Sequence, residues 1–524
     1  MGISLLDCTL RDGGYINDWK FGAAAIKGTV HLLEQTGVEM IELGFLRDVD
    51  YNPDRSLFPN TDSFKSILDH KASGVTYVGM ADVSSPVPYD AIRPNDGKTI
   101  DGIRVIFKKD RISEGYNLCA HAKAMGYDVY VNLVSTDAYS DRELIDAIEL
   151  FNGLIPTGLT IVDTFGTIRR GQLQRMLGIA DNNLAEGIRL CYHAHNNLQQ
   201  ALGNAEMMVE LGLRRDLVID ACVFGMGRGA GNLNLELFAE YLNGQLGKRY
   251  HVEPMLEIMD EYLSSFYKER FWGYSLPLYL TASLGYHPNY GIYLAEKNTL
   301  PVRAFRELLA SIPEEYKYVF NKEVAEDCYR RYFRDYVDDS AAVAELTKEL
   351  AGKNVLIVAP GRSVRRHWDV VEREARREGT AVVAVNFCDT NLNPDYVFLC
   401  NMKRVRSVLA ERQEDTKLIV TSNIAVEVPG DWVVNQSSYV GRKGEPYDNA
   451  GLMALWLLVR LGVRRVRVAG MDGYLDSYGA NFYDASYEPG HLSVAEDRNR
   501  MMRLGIARIR EELDVEFVTP TLYE

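Results

Sequence analysis

Along the first half of the chain, short apolar runs alternate with stretches whose apolar positions recur at helical spacing. Eight candidate strands stand out: Ile3–Cys8, Met40–Gly44, Val75–Ala81, Gly102–Phe107, Asp128–Val134, Leu159–Asp163, Arg189–His195 and Leu217–Phe224. Between them lie segments of helical pattern, such as Glu143-Leu144-Ile145-Asp146-Ala147-Ile148-Glu149-Leu150. Eight strand-then-helix repeats in roughly 240 residues predict a closed parallel TIM (β/α)8 barrel over residues 1–248, in place of an open sheet.

From about Tyr250 the strand signal fades and helical patterns take over. Residues 249–350 read as a helical extension over the barrel mouth, interrupted by Phe271-Trp272-Gly273-Tyr274-Ser275-Leu276-Pro277 and by His287-Pro288-Asn289-Tyr290. The charged segment Lys348 to Asn354 reads as a linker. Beyond it a new α/β rhythm begins, with strands expected at Val355–Ala359, Ala381–Asn386, Tyr396–Asn401, Leu418–Ser422 and Val466–Gly470. Residues 351–524 are therefore expected to form a separate Rossmann-like α/β domain.

Composition narrows the function classes. A chain of 524 residues exceeds one ordinary core, and 47% hydrophobic with 25% charged residues is the balance of a soluble globular protein. A formal charge of −15 gives no attraction to nucleic acid or an anionic membrane, so neither is an expected partner. The start Met1 to Asp7 lacks the pattern of a secretory signal. Ala454 to Val463, the most apolar later stretch, contains Arg460 and is about half the length needed to span a bilayer. The seven cysteines stand singly, without disulfide or zinc spacing. Together these features lead to an expected cytoplasmic location, and a homo-oligomer is compatible with them.

Chemistry concentrates at two strand ends. In Cys191-Tyr192-His193-Ala194-His195-Asn196-Asn197 the two-residue period of a strand puts both imidazoles on one face, close enough to share a metal ion. A structural pair of half-buried histidines would give the same pattern. The end of the first strand, Leu6-Asp7-Cys8-Thr9-Leu10-Arg11-Asp12-Gly13-Gly14, adds the carboxylate of Asp12 at the same mouth. Two imidazoles and one carboxylate leave positions open on a divalent cation for substrate oxygens. Arg11 places a fixed positive charge beside them.

Thr9-Leu10-Arg11-Asp12-Gly13, His193-Ala194-His195-Asn196 and Gly225-Met226-Gly227-Arg228-Gly229-Ala230-Gly231-Asn232 together resemble the DRE-TIM metallolyase superfamily. That superfamily includes 4-hydroxy-2-oxovalerate aldolase and hydroxymethylglutaryl-CoA lyase. The resemblance implies that Asp12, His193 and His195 bind a divalent metal, Mn²⁺ or Mg²⁺, with Asn232 as an outer ligand or support. It implies that Arg11 stabilises an enolate oxygen. One departure matters: where the 4-hydroxy-2-oxovalerate aldolases carry a catalytic histidine after Arg-Asp-Gly, this chain has Tyr15. The residue pairs that follow the motif in acyl-CoA synthases and CoA lyases are absent too.

Tyr15 is accordingly a candidate for proton transfer, and so is Tyr274, because Gly273-Tyr274 resembles the glycine-tyrosine step that carries a phenol over the aldolase metal site. For Tyr274 the alternative is aromatic packing. His287 is a third candidate, as a substrate-binding residue, against a purely structural histidine in a turn. Glu42 and Asn132 lie near candidate strand ends. Thr164, in Asp163-Thr164-Phe165-Gly166, resembles the family residue that touches the substrate carboxylate, while Asp163 could cap a helix or hold a ligand from behind.

In the C-terminal domain, Ala359-Pro360-Gly361-Arg362-Ser363 reads as a strand entering a helix through a small-residue turn, where backbone N–H groups could hold a phosphate. With Val385-Asn386-Phe387 it resembles, loosely, the nucleotide-sugar-binding fold of bacterial sialyltransferases. Gly361, Ser363 and Asn386 are its candidate nucleotide contacts. The leading expectation is an aldolase joining or cleaving a 2-oxo acid such as pyruvate and an aldehyde, in surface-glycan metabolism, with a nucleotide or nucleotide sugar at the C-terminal domain. An acyl-CoA-dependent condensing enzyme or lyase is the second expectation. A catalytically silent barrel carrying a nucleotide-sugar-binding domain is the third.

Overall fold

The computed structural model describes residues 2–524 apart from 69, 298–299, 301, 333–336, 426–427, 429, 441–448, 476–481 and 483–494. Contacts divide the chain into two compact units, Met1–Gly291 and Ile292–Glu524.

In the first unit the eight apolar runs form eight parallel strands: β1 Ile3–Asp7, β2 Met40–Leu46, β3 Thr76–Asp82, β4 Gly102–Phe107, β5 Asp128–Leu133, β6 Gly158–Asp163, β7 Arg189–Ala194 and β8 Leu217–Ala221. Each pairs with its sequence neighbours, and β1 pairs with both β8 (Ile3 opposite Leu217) and β2 (Leu6 opposite Met40), so the sheet closes into a TIM barrel. A two-residue strand, Leu57–Phe58, adds to the end of β2. The intervening helices begin where local chemistry supports them. Ser140 and Glu143 form a reciprocal capping box ahead of Asp141–Asn152, whose Leu144, Ala147, Ile148 and Phe151 are buried.

The strands read as nearly continuous apolar runs because both faces are covered. One parity packs outward on the helices, as with Leu5, Ile41, Tyr77, Ile103, Val131, Leu159, Tyr192 and Ile219. The other points into the barrel, where Leu6, Cys8, Met40, Val78, Tyr130, Cys191, Val218 and Cys222 form a separate apolar cluster. Two residues further along the inward parity of several strands the character changes to Glu42, Arg104, Asn132, His193 and Asp220, all buried. The barrel interior is thus an apolar plug beneath a charged layer.

The helical extension divides. His251 donates its backbone N–H to the Thr36 carbonyl (2.8 Å), which keeps helix Glu253–Ile258 on the barrel flank. Within the first unit the segment 270–287 returns to the mouth, where Trp272 Nε1 donates to the Phe224 carbonyl (3.0 Å) and Arg270 Nη1 to the Ile16 carbonyl (3.0 Å).

Among its described residues the second unit contains seven parallel strands: β9 Asn354–Val358, β10 Thr380–Val385, β11 Tyr396–Leu399, β12 Lys417–Thr421, β13 Trp432–Val434, β14 Arg465–Ala469 and β15 Asp514–Phe517. Their spatial order is β13-β12-β11-β10-β9-β14-β15, an open sheet whose direction of winding reverses between β9 and β14. The expected linker is not one. Helix Ser340–Leu350 runs to within a short turn of β9, and its Glu345 and Glu349 accept from Trp432 Nε1 (3.0 Å) and the Tyr396 hydroxyl (3.0 Å). Its charges look like linker charges in the sequence because their partners are far along the chain. Helix Ala450–Arg460 is buried along most of its length, and Arg460 pairs with Asp339 (2.7 Å). No helix among the described residues is long and apolar enough to cross a membrane.

Candidate metal centre and active site

Chain exit from β1 is abrupt. Cys8 follows the strand, and Thr9–Asp12 form a single helical turn that turns Arg11 and Asp12 into the barrel mouth, where both are buried. The turn is tight: a Cβ at Gly13 would lie 2.3 Å from the Thr9 carbonyl, and one at Gly14 would lie 2.0 Å from the Trp19 ring. From the other side of the barrel come His193, last but one in β7, and His195, just past its end.

His193 Nε2 and His195 Nε2 each stand 3.5 Å from a carboxylate oxygen of Asp12, one on Oδ2 and the other on Oδ1. The three donor atoms lie within 4.8 Å of one another. The far side of each ring is fixed. His193 Nδ1–H donates to Asp220 Oδ2 (3.0 Å), and His195 Nδ1–H to the Asp163 carbonyl (3.1 Å). In this tautomer both Nε2 lone pairs face the same point. His195 Nε2 is buried without a hydrogen-bond partner, and so is Asn232 Oδ1, while Asn232 Nδ2 donates to Asp12 Oδ1 (3.0 Å). Buried polar atoms without partners are costly, and these sit where a cation would satisfy them. The residues fit a divalent ion.

Around this cluster runs a closed ring of charge. Arg11 bonds Asp12 on one side and Glu42 Oε2 (2.6 Å) on the other; Arg104 Nη1 takes the second oxygen of Glu42 (3.1 Å) and its Nη2 bonds Asp220; Asp220 returns to His193. Three carboxylates thus face two guanidiniums, which leaves one negative charge in surplus when the imidazoles are neutral. Burial alone would raise the Asp12 pKa, but Arg11 and His195 hold it well below the usual carboxylate range. Asp220 is likewise held down against burial by Arg104 and His193. Burial lowers His195; for His193 it is outweighed by the bonds to Asp12 and Asp220, which push that ring well up.

Of the sequence candidates, Arg11, Asp12, His193, His195 and Asn232 come together directly. Asn132 is buried beside Arg104, whose Nη2 donates to its Oδ1 (3.1 Å). Thr164 Oγ1 accepts from the Ser135 backbone N–H (2.8 Å), tying the loops after β5 and β6. The Asp163 carboxylate accepts from the backbone N–H groups of Thr167 and Ile168 (2.8 and 3.0 Å), and burial raises its pKa to about 7. Asp163 therefore both caps a turn and supports His195. Tyr15 is partly exposed at the mouth, edge-on to Trp19, with its phenol pushed above the ordinary value by burial and by Asp12. His287 Nε2 accepts from Arg228 Nη2 (2.6 Å), and its ring stands edge-on to Phe165. Tyr274 is more than half exposed, with Tyr279 as its ring neighbour, and no described contact joins it to the cluster. Its place after Gly273 sets backbone direction only; the aromatic-packing reading describes its surroundings better.

Sequence reasoning missed Arg104 and Asp220, which complete the ring. Each carries a signal: a lone charge on the inward parity of an otherwise apolar strand, in Gly102-Ile103-Arg104-Val105 and Leu217-Val218-Ile219-Asp220.

In the second unit the turn after β9 is differently filled. Ser363 donates its backbone N–H to Asp472 Oδ2 (2.7 Å) and its hydroxyl to Asp472 Oδ1. A phosphate at Gly361 and Ser363 would have to displace this carboxylate, which already uses the donors expected for it. A Cβ at Gly361 would lie 2.3 Å from the Gly470 carbonyl, so the glycine serves strand packing. Asn386, at φ +59°, exchanges its side chain with Cys400, accepting from that residue's N–H (2.9 Å).

The first half of the chain is similar to known proteins. Residues 107–260 match the family model described as HMGL-like. The chain is 25% identical over 252 residues to a 4-hydroxy-2-oxovalerate aldolase of Serratia proteamaculans, covering 46% of this chain and 72% of that one. It is 26% identical over 256 residues to a 4-hydroxy-2-oxovalerate aldolase of Thermomicrobium roseum, covering 48% and 68%. Among solved structures, the HMG-CoA lyase from Brucella melitensis aligns with a TM-score of 0.39 at 19% identity, over 49% of this chain and 96% of that one.

Proposed function

We propose that this chain is a divalent-metal-dependent carbon–carbon lyase of the DRE-TIM metallolyase type, an aldolase acting through the enolate of pyruvate or another 2-oxo acid. The observation that carries the proposal is the convergence of His193 Nε2, His195 Nε2 and the Asp12 carboxylate, with His195 Nε2 buried and lacking a hydrogen bond. The names of the aldolase relatives, matched over nearly half of the chain, support it.

A bound cation would polarise the oxygens of a 2-oxo acid and lower the cost of charge developing on the enolate. Imidazole donors favour Mn²⁺ over Mg²⁺, which prefers an all-oxygen shell. Arg11 is held between Glu42 and Asp12, so its planar donors are fixed before substrate arrives and can stabilise the enolate oxygen without reorganisation. Glu42, Arg104 and Asp220 act through others: Glu42 and Arg104 position Arg11, and Asp220 sets the His193 ring. Tyr15, raised above its ordinary value, keeps its proton at neutral pH. It would donate that proton to the alkoxide left when the enolate carbon adds to the aldehyde, and take it back in cleavage.

The purified protein should bind one equivalent of Mn²⁺ and exchange the methyl protons of pyruvate in D₂O. His193→Ala and Asp12→Ala should lose both while circular dichroism still reports a folded barrel. Exchange with an acyl-CoA in place of pyruvate would move the protein to the condensing enzymes. Absence of both exchanges would sink the proposal.

The second unit enters this reading as a Rossmann-like domain. Its support is the reversal of strand order between β9 and β14, the usual place for a ligand in open parallel sheets. Thermal shifts of the full chain with CMP, UDP, GDP and their sugar conjugates test for a nucleotide there.

A further inference from the structure

Metal ligands and Arg11 serve the 2-oxo acid, which leaves unexplained a set of cations at the barrel mouth. Arg228 lies in the loop after β8. That loop rests on the ligand cluster itself: a Cβ at Gly227 would lie 3.0 Å from Asp12 Oδ1 and 2.1 Å from Asn232 Nδ2. Arg228 therefore starts about 3.8 Å, one Cα step, from a backbone in contact with the metal ligands. Asn197 clamps the same loop, accepting from the Ala230 N–H (2.7 Å) and donating to the Phe165 carbonyl (2.9 Å). The guanidinium is half-buried, 5.6 Å from the centre of the Tyr15 ring, and donates to His287.

Among the described residues no carboxylate pairs with Arg228, nor with Lys108, which stands exposed just past the end of β4. This is unusual for the mouth, where Arg11 and Arg104 are each neutralised twice. Burial, Arg228 and Lys108 together push His287 down to about 3, so the ring partner of Arg228 is neutral and offsets none of its charge. A strut that merely pinned His287 would need a donor and no charge, and a half-buried uncompensated guanidinium costs desolvation. An anionic ligand would repay it.

We propose that Arg228, backed by Lys108, forms an anion-binding subsite that selects an acceptor aldehyde carrying a carboxylate or phosphate at the end remote from its carbonyl. The inference rests on the aldolase reading. Tyr15 follows the Arg11–Asp12 turn by three residues, and its ring centre lies 5.6 Å from the Arg228 guanidinium. An aldehyde anchored on Arg228 would thus present its carbonyl to Tyr15 and to the enolate carbon. His287, fixed by Phe165 and Arg228, is a positioning residue for the guanidinium.

The test uses the full chain loaded with Mn²⁺, pyruvate as donor, and three acceptors: butanal, succinate semialdehyde and glyceraldehyde 3-phosphate. The quantity read is the ratio of kcat/KM for each anionic acceptor to that for butanal. Wild type should favour at least one anionic aldehyde by on the order of 100-fold, the scale of a charge-assisted bidentate contact. The two anionic arms tell carboxylate from phosphate. Arg228→Met should collapse that ratio, Arg228→Glu should bring it below one, and Arg228→Lys should restore part of it. Should the Arg228 variants fail to fold, Lys108→Met on the exposed strand end should lower the same ratio by a few fold. Pyruvate methyl exchange in D₂O, measured alongside, separates the two readings. Without exchange the aldolase assignment falls; with exchange but a wild-type ratio near one, or a ratio that survives in the Arg228 and Lys108 variants, the subsite falls.

Discussion

The two units solve one problem in opposite ways. Both are parallel α/β sheets with polar side chains at the strand ends. In the barrel, closure turns the inward parity of β2, β4, β7 and β8 toward one axis, so Glu42, Arg104, His193 and Asp220 converge although up to 178 residues separate them (220 − 42). They bond one another from behind and leave lone pairs of His195 and Asn232 unused in front. In the open sheet, Asp472, Ser363 and Thr519 meet at adjacent strand ends and satisfy each other, Ser363 Oγ lying 2.9 Å from Thr519 Oγ1. Closure gives convergence with donor atoms left over; the neighbouring strand ends of the open sheet give local saturation.

The largest expected effect comes from opening the ring. Arg104→Met keeps the volume but leaves Glu42 and Asp220 buried without their shared cation, and urea denaturation should show a loss of about 3–5 kcal/mol. A change below about 1 kcal/mol would mean that the two carboxylates take up protons, and the barrel's charged layer would not differ in kind from the open sheet's. Next, Arg11→Lys replaces a planar fork by a point charge while leaving the metal ligands in place. Metal content should hold, and kcat should fall by about 2–4 kcal/mol in activation free energy. Full activity would remove Arg11 from the mechanism.

A pH measurement sharpens the comparison further. His287 is held near 3 in the fold against about 6.5 unfolded, so between those values the unfolded chain binds a proton that the folded one does not. Stability of the first unit should therefore fall as pH drops from about 6.5 toward 3, with this residue contributing a slope of at most about 1.4 kcal/mol per unit, and be constant in this respect above 6.5. His287→Phe should flatten that part of the profile; an unchanged slope would show that the ring is not buried against Arg228. The smallest effect belongs to the open sheet. Asp472→Ala removes acceptors from Ser363 and should cost about 1–2 kcal/mol in the unfolding of the second unit, with Mn²⁺ binding by the barrel untouched.

Much of the barrel was legible because its signals are local. Each strand is a mostly apolar run, and Asp12, His193 and His195 stand in short motifs at strand ends, where the fold puts its mouth. Arg104 and Asp220 escaped because a buried charge is recognised by its partner, and the partners lie 116 positions apart. Strand parity would have marked them, since each interrupts an apolar run on the face that carries Val218, Met40 and Tyr130 into the barrel. The stretch Lys348 to Asn354 reads as a linker for a related reason: the helix leading into it is held by Trp432 and Tyr396 from distant strands, through Glu345 and Glu349. For Ser363 the turn was read correctly, but its occupant comes from Asp472, 109 residues later. Tyr274 shows the converse, a motif carried by resemblance whose side chain is more than half exposed beside Tyr279.

The join between β1 and β8 also constrains how the chain reaches this state. Gly2 and Asp216 bond across it, and so do the neighbouring Cys8 and Cys222, each pair separated by 214 residues. The first strand leaves the ribosome long before the last, and until they meet, Asp12 and Arg11 have no Asn232 or His193 beside them. The charged ring can therefore assemble only in a late step that gathers both ends of the barrel, with a large loop-closure entropy to overcome. A nascent chain truncated before β8 would hold an open edge and a half-built set of buried charges, the kind of species that chaperones bind.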